Sequence, residues 1–357
     1  MSVEILTSAD QDRWWQYFHL LPENYQHIHF APNYHRLLES NDDGQARLFV
    51  NVLDDSLFFY PFMLRKIDRI GDRKIDLDYH DITSVFGYTG PLIINNSEQF
   101  FANSQTALKE YFDSHNIISE MIRYNPIIQN HKNYSASGLK NLAVKEYVYI
   151  DFPGEPEELS SIYSSRLQTY LNKAERMDFD IEFSRAKKDV YDFFDLYYQH
   201  MQDIDVDNYY LFSSDYFDRL FELIQDHGYL VFSRENGQMA AGLIFLEYKH
   251  TSYYHHGSRN TDVDNSGLVN KYLFHRAFLR QIEKGLKNCL LGGGASDSAQ
   301  DSLLKFKKFF TNRSSDFVIG KRVVDRQKYD RIISIWEQEC PRAADKYEKF
   351  VDRYRFC

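Results

Sequence analysis

Short apolar runs alternate along this chain with amphipathic stretches of helical period, the pattern of a mixed α/β protein. Gln11–Leu20 predicts a helix led by Trp14, Trp15 and Phe18. Ala46–Leu53 and Leu57–Leu64 are rich in Phe, Val and Leu, and Asp54-Asp55-Ser56 between them predicts a β-hairpin. Pro61 marks the second strand as an edge or a locally distorted one, because proline has no N–H for a ladder. Asp81–Leu92, with Gly87, Gly90 and Pro91 around Tyr88, reads as a shaped loop suited to binding. A helix is expected over Ser97–His115 and a strand over Ile117–Tyr124.

The polar stretch Ser135–Lys145 marks a domain boundary. After it come a strand at Tyr147–Phe152 and helices at Glu157–Met177, Asp189–Met201 and Ser213–His227. Tyr229–Phe232 and Met239–Tyr248 flank Asn236-Gly237, a strong hairpin signal. A strand through Ser252–His256 and a helix over Leu268–Lys284, closed by Gly285, follow. A last strand at Phe317–Val324 precedes two C-terminal helices. Residues 46–124 and 229–294 share one order of elements: hairpin, further strand or shaped loop, helix, strand. That order predicts two α/β domains of one type, 1–145 and 146–320, meeting at a cleft, with the tail 325–357 packed back on the first.

The stretch from Asn288 to Phe310 holds the most chemistry. Cys289, Leu290 and Leu291 read as a buried strand that runs into Gly292, Gly293 and Gly294, where the chain turns or lets a ligand reach its backbone. Asp301 or Ser302 then caps a helix. At about 100° per residue, Leu303, Leu304, Phe306, Phe309 and Phe310 share one arc; Lys305 and Lys308 lie outside it and Lys307 within it. Two readings of Lys307 stay open. Its stem lies on apolar surface with the ammonium reaching water, or its charge is aimed into a cleft.

Composition narrows the classes. The 357 residues are 26% charged and 16% aromatic, which excludes a disordered chain. A net charge of −10 gives no global attraction to polyanions, so any such partner needs a local basic patch. Cys289, Cys340 and Cys357 are scattered, with no CxxC, which suits a reducing compartment better than a disulfide scaffold. The first residues are polar and acidic rather than a signal peptide, and no apolar run spans a membrane. A cytoplasmic protein is expected. His27, His29 and His35 lack an HExxH spacing or neighbouring thiols, so no metal is expected.

Several stretches, in this order, resemble the Fem family of peptidoglycan-bridge aminoacyltransferases, proteins with two tandem GNAT-fold domains. They are FGYTGPL (Phe86–Leu92), EMIRYNPII (Glu120–Ile128), SSRLQTYLNKAERMDFDIEF (Ser164–Phe183), AAGLIF (Ala240–Phe245), YYHHGS (Tyr253–Ser258), LGGG (Leu291–Gly294) and SLLKFKKFF (Ser302–Phe310). The resemblance spans roughly residues 30–325. It implies that Phe306 and Lys307 lie at the catalytic cleft, the lysine binding or activating an acyl-tRNA donor. Val85 and Thr89 depart from the family's PYGYGGP loop, which bears on the acceptor more than on the fold.

The leading expectation is therefore transfer of an aminoacyl group from a tRNA ester to an amine of a peptidoglycan or other glycan precursor, nucleotide- or lipid-linked. Positioning and oxyanion stabilisation would supply most of the rate. Lys307 and the N–H groups of Gly292–Gly294 are the candidate stabilisers, and Arg166, Lys173, Arg176, Lys321 and Arg322 the candidate phosphate contacts. Tyr88 and Gly90 are assigned to the acceptor side, with Tyr88 its most exposed aromatic, and His255 and Ser258 to substrate binding. His255 and His256 are adjacent in one strand and so are expected to face opposite ways, one of them a candidate proton acceptor. Two alternatives remain. One is an acyl-CoA donor, opposed by the turn Arg259–Gly267, where Asp262 and Asp264 would repel a diphosphate. The other is a non-enzymatic glycan-binding scaffold. No tightly bound cofactor is expected, and Cys289, inside an apolar strand, is expected to be inert.

Overall fold

A computed structural model describes residues 2–41, 43–203, 211–263, 267–296, 298 and 300–357. The chain divides into two compact units, Met1–Val144 with Phe317–Cys357, and Lys145–Asp316.

The first unit begins β1 (Ser2–Thr7), α1 (Gln11–Leu20), α2 (Pro32–Glu39), β2 (Gln45–Leu53) and β3 (Ser56–Lys66). It continues β4 (His80–Thr83), β5 (Leu92–Ile94), α3 (Glu98–Ser114) and β6 (Ile117–Arg123). The strands β1, β2, β3 and β4 are antiparallel neighbours. Helix α3, capped by Ser97, carries the chain over so that β6 joins β4 in parallel. Residues 319–323 then return to pair antiparallel with β6.

Pro61 does not sit on an edge. Strand β3 is paired with β2 over Ser56–Leu64, and on its other side with β5 at Leu57–Phe59 and with β4 at Met63–Lys66. Pro61 falls in the interval between those two partners, where no N–H is asked for. The loop expected over Asp81–Leu92 is confined to residues 84–91, because Asp81, Ile82 and Thr83 are part of β4.

The core of this unit has two parts. Phe58, Tyr60 and Phe62 of β3 pack with Phe100, Leu108 and Phe112 of α3. Ile118 and Met121 of β6 pack with Tyr329, Ile332, Ile333 and Trp336 near the C-terminus. Two buried carboxylates are each matched. Glu120 accepts from Tyr60 (2.8 Å) and lies 2.8 Å from Arg322, which removes Arg322 from the candidate phosphate contacts. Asp81 accepts from Arg65 (2.7 Å), Arg355 (2.9 Å) and Tyr354 (2.8 Å), fastening the last residues to β4. Cys340 and Cys357, expected as separate thiols, form a disulfide. The sequence had no CxxC to show it, because the fold rather than the spacing brings them together.

The second unit takes residues 145–151 of β7 (Lys140–Asp151), then α4 (Ser165–Glu175), β8 (Ile181–Ser184), α5 (Lys187–Asp203) and α6 (Ser214–His227). After these come β9 (Gly228–Glu235), β10 (Gln238–Tyr248), β11 (Thr251–Arg259), α7 (Leu268–Glu283), β12 (Asn288–Gly292) and α8 (Ser302–Lys307). β13 (Ser314–Val323) and α9 (Arg326–Glu339) then lead the chain back into the first unit. The single helix expected over Glu157–Met177 is broken. Pro156–Ile162 is a 3₁₀ segment, and Ser164, in extended conformation, accepts from Leu167 N–H and starts α4 afresh.

The two units share one topology. Strand, two helices, three antiparallel strands, a crossover helix and a parallel strand run as β1-α1-α2-β2-β3-β4-α3-β6, with the short β5 added before α3, and again as β8-α5-α6-β9-β10-β11-α7-β12. Each repeat is completed by an antiparallel strand from outside it, residues 319–323 on β6 and residues 148–151 on β12. No helix among the described residues is long and apolar enough to cross a membrane.

Removing one member of a buried pair strands the other charge. Glu120→Ala is expected to cost about 3–5 kcal/mol, read as a lowered urea midpoint, and Glu120→Gln less. An unchanged midpoint in Glu120→Ala would show that Arg322 finds another partner.

Candidate active site

In the second unit β11 and β12 run parallel and are paired at Thr251–Asn288, Ser252–Cys289 and Tyr253–Leu290. Beyond these residues β11 continues to Arg259 and β12 to Gly292 without further pairing between them among the described residues. A notch opens where the two strands part. β12 changes register against β7 between Leu290 and Gly292, and Gly292 has φ 81°, a conformation that glycine adopts without strain. A Cβ on Gly293 would stand 2.5 Å from the Tyr147 ring, and one on Gly294 2.5 Å from Asp301. The glycines are there because Tyr147 and Asp301 press against the backbone.

Helix α8 begins at Asp301, whose carboxylate accepts from Leu304 N–H (2.9 Å) and from Ser296 N–H (2.9 Å) and Oγ (3.0 Å). These bonds, the Leu304 N–H foremost, hold its pKa down at about 2. The helix ends with Lys307. Its Nζ donates to Gly293 O at 2.6 Å and stands 5.7 Å from the centre of the Tyr254 ring. Lys307 is 5% exposed, so its ammonium does not reach bulk water. Burial, and secondarily the neighbouring Lys145, push its pKa from 10.5 down to about 7. Lys145 Nζ donates to the next carbonyl, Gly294 O, at 3.4 Å. The glycines thus meet the lysines through carbonyls, and Gly292 is engaged in the ladder with Val148. Lys305 and Lys308 are exposed, the latter paired with Glu146 at 2.6 Å.

The other residues singled out by sequence fall in different places. Phe306 is half-buried against Phe274 and Phe310, with Lys271 Nζ 5.6 Å from its ring centre. Leu303, placed on the apolar arc by helical period, is 38% exposed. Arg166 is exposed and lies 5.6 Å from the rings of both Tyr170 and Phe309. Ser258 is buried, donating to Leu196 O (3.2 Å) and 3.1 Å from His200 Nδ1. Tyr88 and Gly90 belong to the first unit. Tyr88 is half-buried, with ring centroids of His29 and Phe317 at 5.2 and 5.9 Å. Gly90 is buried with φ 94°, and a Cβ there would meet Ile122 at 2.8 Å. Lys321 donates to Lys349 O, within the first unit. No metal-ligating group occurs among the described residues.

The histidine pair reverses its expected geometry. A bulge between β10 and β11 makes His255 an extra residue, so that His256 pairs with Ile244 and Tyr254 with Phe245. Both rings therefore turn to one side, and Tyr216 Oη stands 2.9 Å from His255 Nε2 and 2.8 Å from His256 Nε2. Burial pushes His255 down to about 3 and His256 well below its ordinary value. Two neutral imidazoles share one hydroxyl. Cys289 is buried and its thiol is pushed up to about 12, as suits an inert residue. Sequence reading missed Tyr216, Tyr254 and Lys145 as neighbours of the named residues, since only the bulge and the strand pairing bring them close.

Residues 163–307, ending at Lys307, match the family model described as an acetyltransferase (GNAT) domain. The fold also matches the crystal structure of FemX, at 13% identity and a TM-score of 0.70, over 93% of this chain and 100% of that one. The chain has the tandem GNAT acyltransferase fold. A tandem GNAT protein from the clavulanic acid biosynthesis pathway shares this fold at 6% identity and a TM-score of 0.51, over 90% of this chain and 99% of that one. So does the C-terminal domain of a putative lysylphosphatidylglycerol synthetase from Agrobacterium fabrum, at 13% identity and a TM-score of 0.53, over 88% of this chain and 92% of that one. No curated protein matches by sequence. In the GNAT domain the parting strands, the glycines and Lys307 form one continuous feature.

Burial of Lys307 predicts a pH-dependent stability. With a folded pKa near 7 against an ordinary 10.5, the stability is complete above 10.5, falls between these values, and is lowest below 7. Lys307→Met lacks this penalty. Its Tm is expected to equal or exceed that of the wild type at pH 7, the difference shrinking toward pH 10; a difference that does not depend on pH would contradict the buried state of the amine.

Proposed function

We propose that the chain transfers an aminoacyl or acyl group from an activated donor ester to an amine of a cell-envelope precursor, at the notch between β11 and β12. The observation that carries this reading is the buried Lys307 held at that notch by Gly293 O. Strands that part leave backbone groups for an extended donor to pair with, and the lysine places an N–H donor where the ester's carbonyl oxygen gains charge. A preorganised donor in a dry site is worth far more than one in water. An activated ester and an amine need no covalent intermediate, so alignment and this donor carry most of the chemistry.

Aminoacyl-tRNA is the donor favoured by the family resemblance. The half-buried rings of Tyr170, Phe306 and Phe309, with Arg166 and Lys271 over them, form a platform that adjoins Lys307 in the chain at Phe306. Such aromatic and cationic groups suit stacked bases and phosphates. The lysylphosphatidylglycerol synthetase neighbour, by its name, joins an aminoacyl group to a membrane lipid, which supports an envelope acceptor, glycan- or lipid-linked. Cytoplasmic placement belongs to the same reading, since charged tRNA is found there. Acyl-CoA remains the second reading for one specific reason. Asp262 is exposed in the turn before α7 and Asp264 lies outside the described residues, yet a Cβ on Gly267 would stand 3.3 Å from Arg259 Nη1 and 3.8 Å from Lys271 Nζ. Two cations at the start of a helix suit a diphosphate.

Labelled aminoacyl-tRNA and acyl-CoA, each offered with nucleotide- and lipid-linked envelope precursors, separate these donors, and no turnover with any combination would overturn the reading. With the productive donor, Lys307→Met is expected to lower turnover by about 10²–10³-fold. Lys305→Met is expected to change it little. Equal, small losses at both positions would show that Lys307 does not meet the reacting group.

A further inference from the structure

The two lysines at the notch stand on neighbouring carbonyls, and the reading above gives a role to one of them. We propose, on that reading, that Lys145 is a positioning residue that sets the charge of Lys307, so that Lys307 carries the acceptor amine's proton to the leaving oxygen. Lys145 Nζ donates to Gly294 O at 3.4 Å and Lys307 Nζ to Gly293 O at 2.6 Å, so the two amines are tied to successive carbonyls and a charge on one disfavours a charge on the other. Of the groups around Lys307, Asp301 opposes this repulsion. Asp301, on its own helix, is engaged by the N–H groups of Leu304 and Ser296. On β7, Glu146 is paired with Lys308, and Tyr147 packs against Gly293. From β11 comes the ring of Tyr254.

A proton carrier works best when its pKa lies close to the pH of the reaction. Lys307, near 7, meets that condition; His255, near 3, is too weak a base to hold an amine's proton. The step balances without another reactant. The amine nitrogen attacks the ester carbon, and the carbonyl electrons move to oxygen. The surplus proton on nitrogen passes to neutral Lys307 Nζ. When the tetrahedral centre collapses, the bond to the leaving oxygen (or sulfur, for a thioester) breaks, and that atom takes the proton back from Lys307. The products are the amide and the free alcohol or thiol.

The test follows Lys307 Nζ itself, by NMR of ¹⁵N-lysine-labelled full-length protein across pH, with Lys307→Met assigning the signal. The midpoint is expected to rise by about one unit or more in Lys145→Met, the size of a like-charge effect at close range, and to stay low in Lys145→Arg. In transfer assays the acid limb of kcat is expected to move up by the same amount, so that an approximately tenfold loss near neutral pH vanishes in alkali while KM is kept. An unmoved midpoint, or a loss equal at every pH, overturns the proposal. A shifted midpoint with no transfer from any donor upholds the coupling of the two lysines and overturns the acyltransferase reading instead.

Discussion

A lysine amine that is kept out of water constrains everything near it. Lys307 ends α8 with 5% of its surface exposed and gives its hydrogen bond to Gly293 O. That carbonyl is available because β12 breaks register before Gly292, and β12 can break register because residues 292–294 carry no side chains. Tyr147 and Asp301 fill the space that side chains would take, and Asp301 also fixes the start of α8. Strand parting, glycines, cap and lysine form one coupled arrangement. Replacing any of them with a bulkier or uncapped residue moves the others.

The duplicated topology shows how one fold is put to two uses. Both units have a parallel pair joined by a crossover helix, β4 with β6 and β11 with β12. In the second unit, the helix following the parallel pair brings a lysine to the notch. The first unit instead buries Glu120 on β6 against Arg322 and Tyr60, and Asp81 on β4 against Arg65, Arg355 and Tyr354. These charges are matched within the protein, which makes them supports of the fold, whereas the two lysines stand on successive carbonyls and disfavour each other's charge. An electrostatic imbalance of this kind costs stability and is a physical mark of a working site.

Much of this was legible in the sequence, and the remainder was hidden for identifiable reasons. Hairpins at Asp54-Asp55 and Asn236-Gly237, and the cap at Asp301, are local signals, and the elements formed where those signals stand. Helical period placed Lys307 among the apolar residues of its helix, and the side chain is buried. Leu303 on the same arc is exposed, because tertiary neighbours such as Tyr254 of β11 beside Lys307, not the wheel alone, decide which part of α8 is covered. Alternation in a strand sent His255 and His256 to opposite faces; one extra residue in β11 undid it. Tyr163, extended, ends the 3₁₀ segment and Ser164 begins α4, a break that a periodic pattern passes over. The partnership of Lys145 with Lys307 and the Cys340–Cys357 bond depend on elements far apart in the chain, which no local pattern encodes.

The central claim is that the donor's reacting carbonyl lies in the notch between β11 and β12, against Lys307. A crystal structure with a non-hydrolysable aminoacyl-adenosine amide, and a second with coenzyme A, measures this most directly. The account predicts that one of these ligands lies along the parting strands, with the position of the acyl oxygen within hydrogen-bond distance of Lys307 Nζ. A donor bound elsewhere, with Lys307 still closed on Gly293 O and out of its reach, would contradict it.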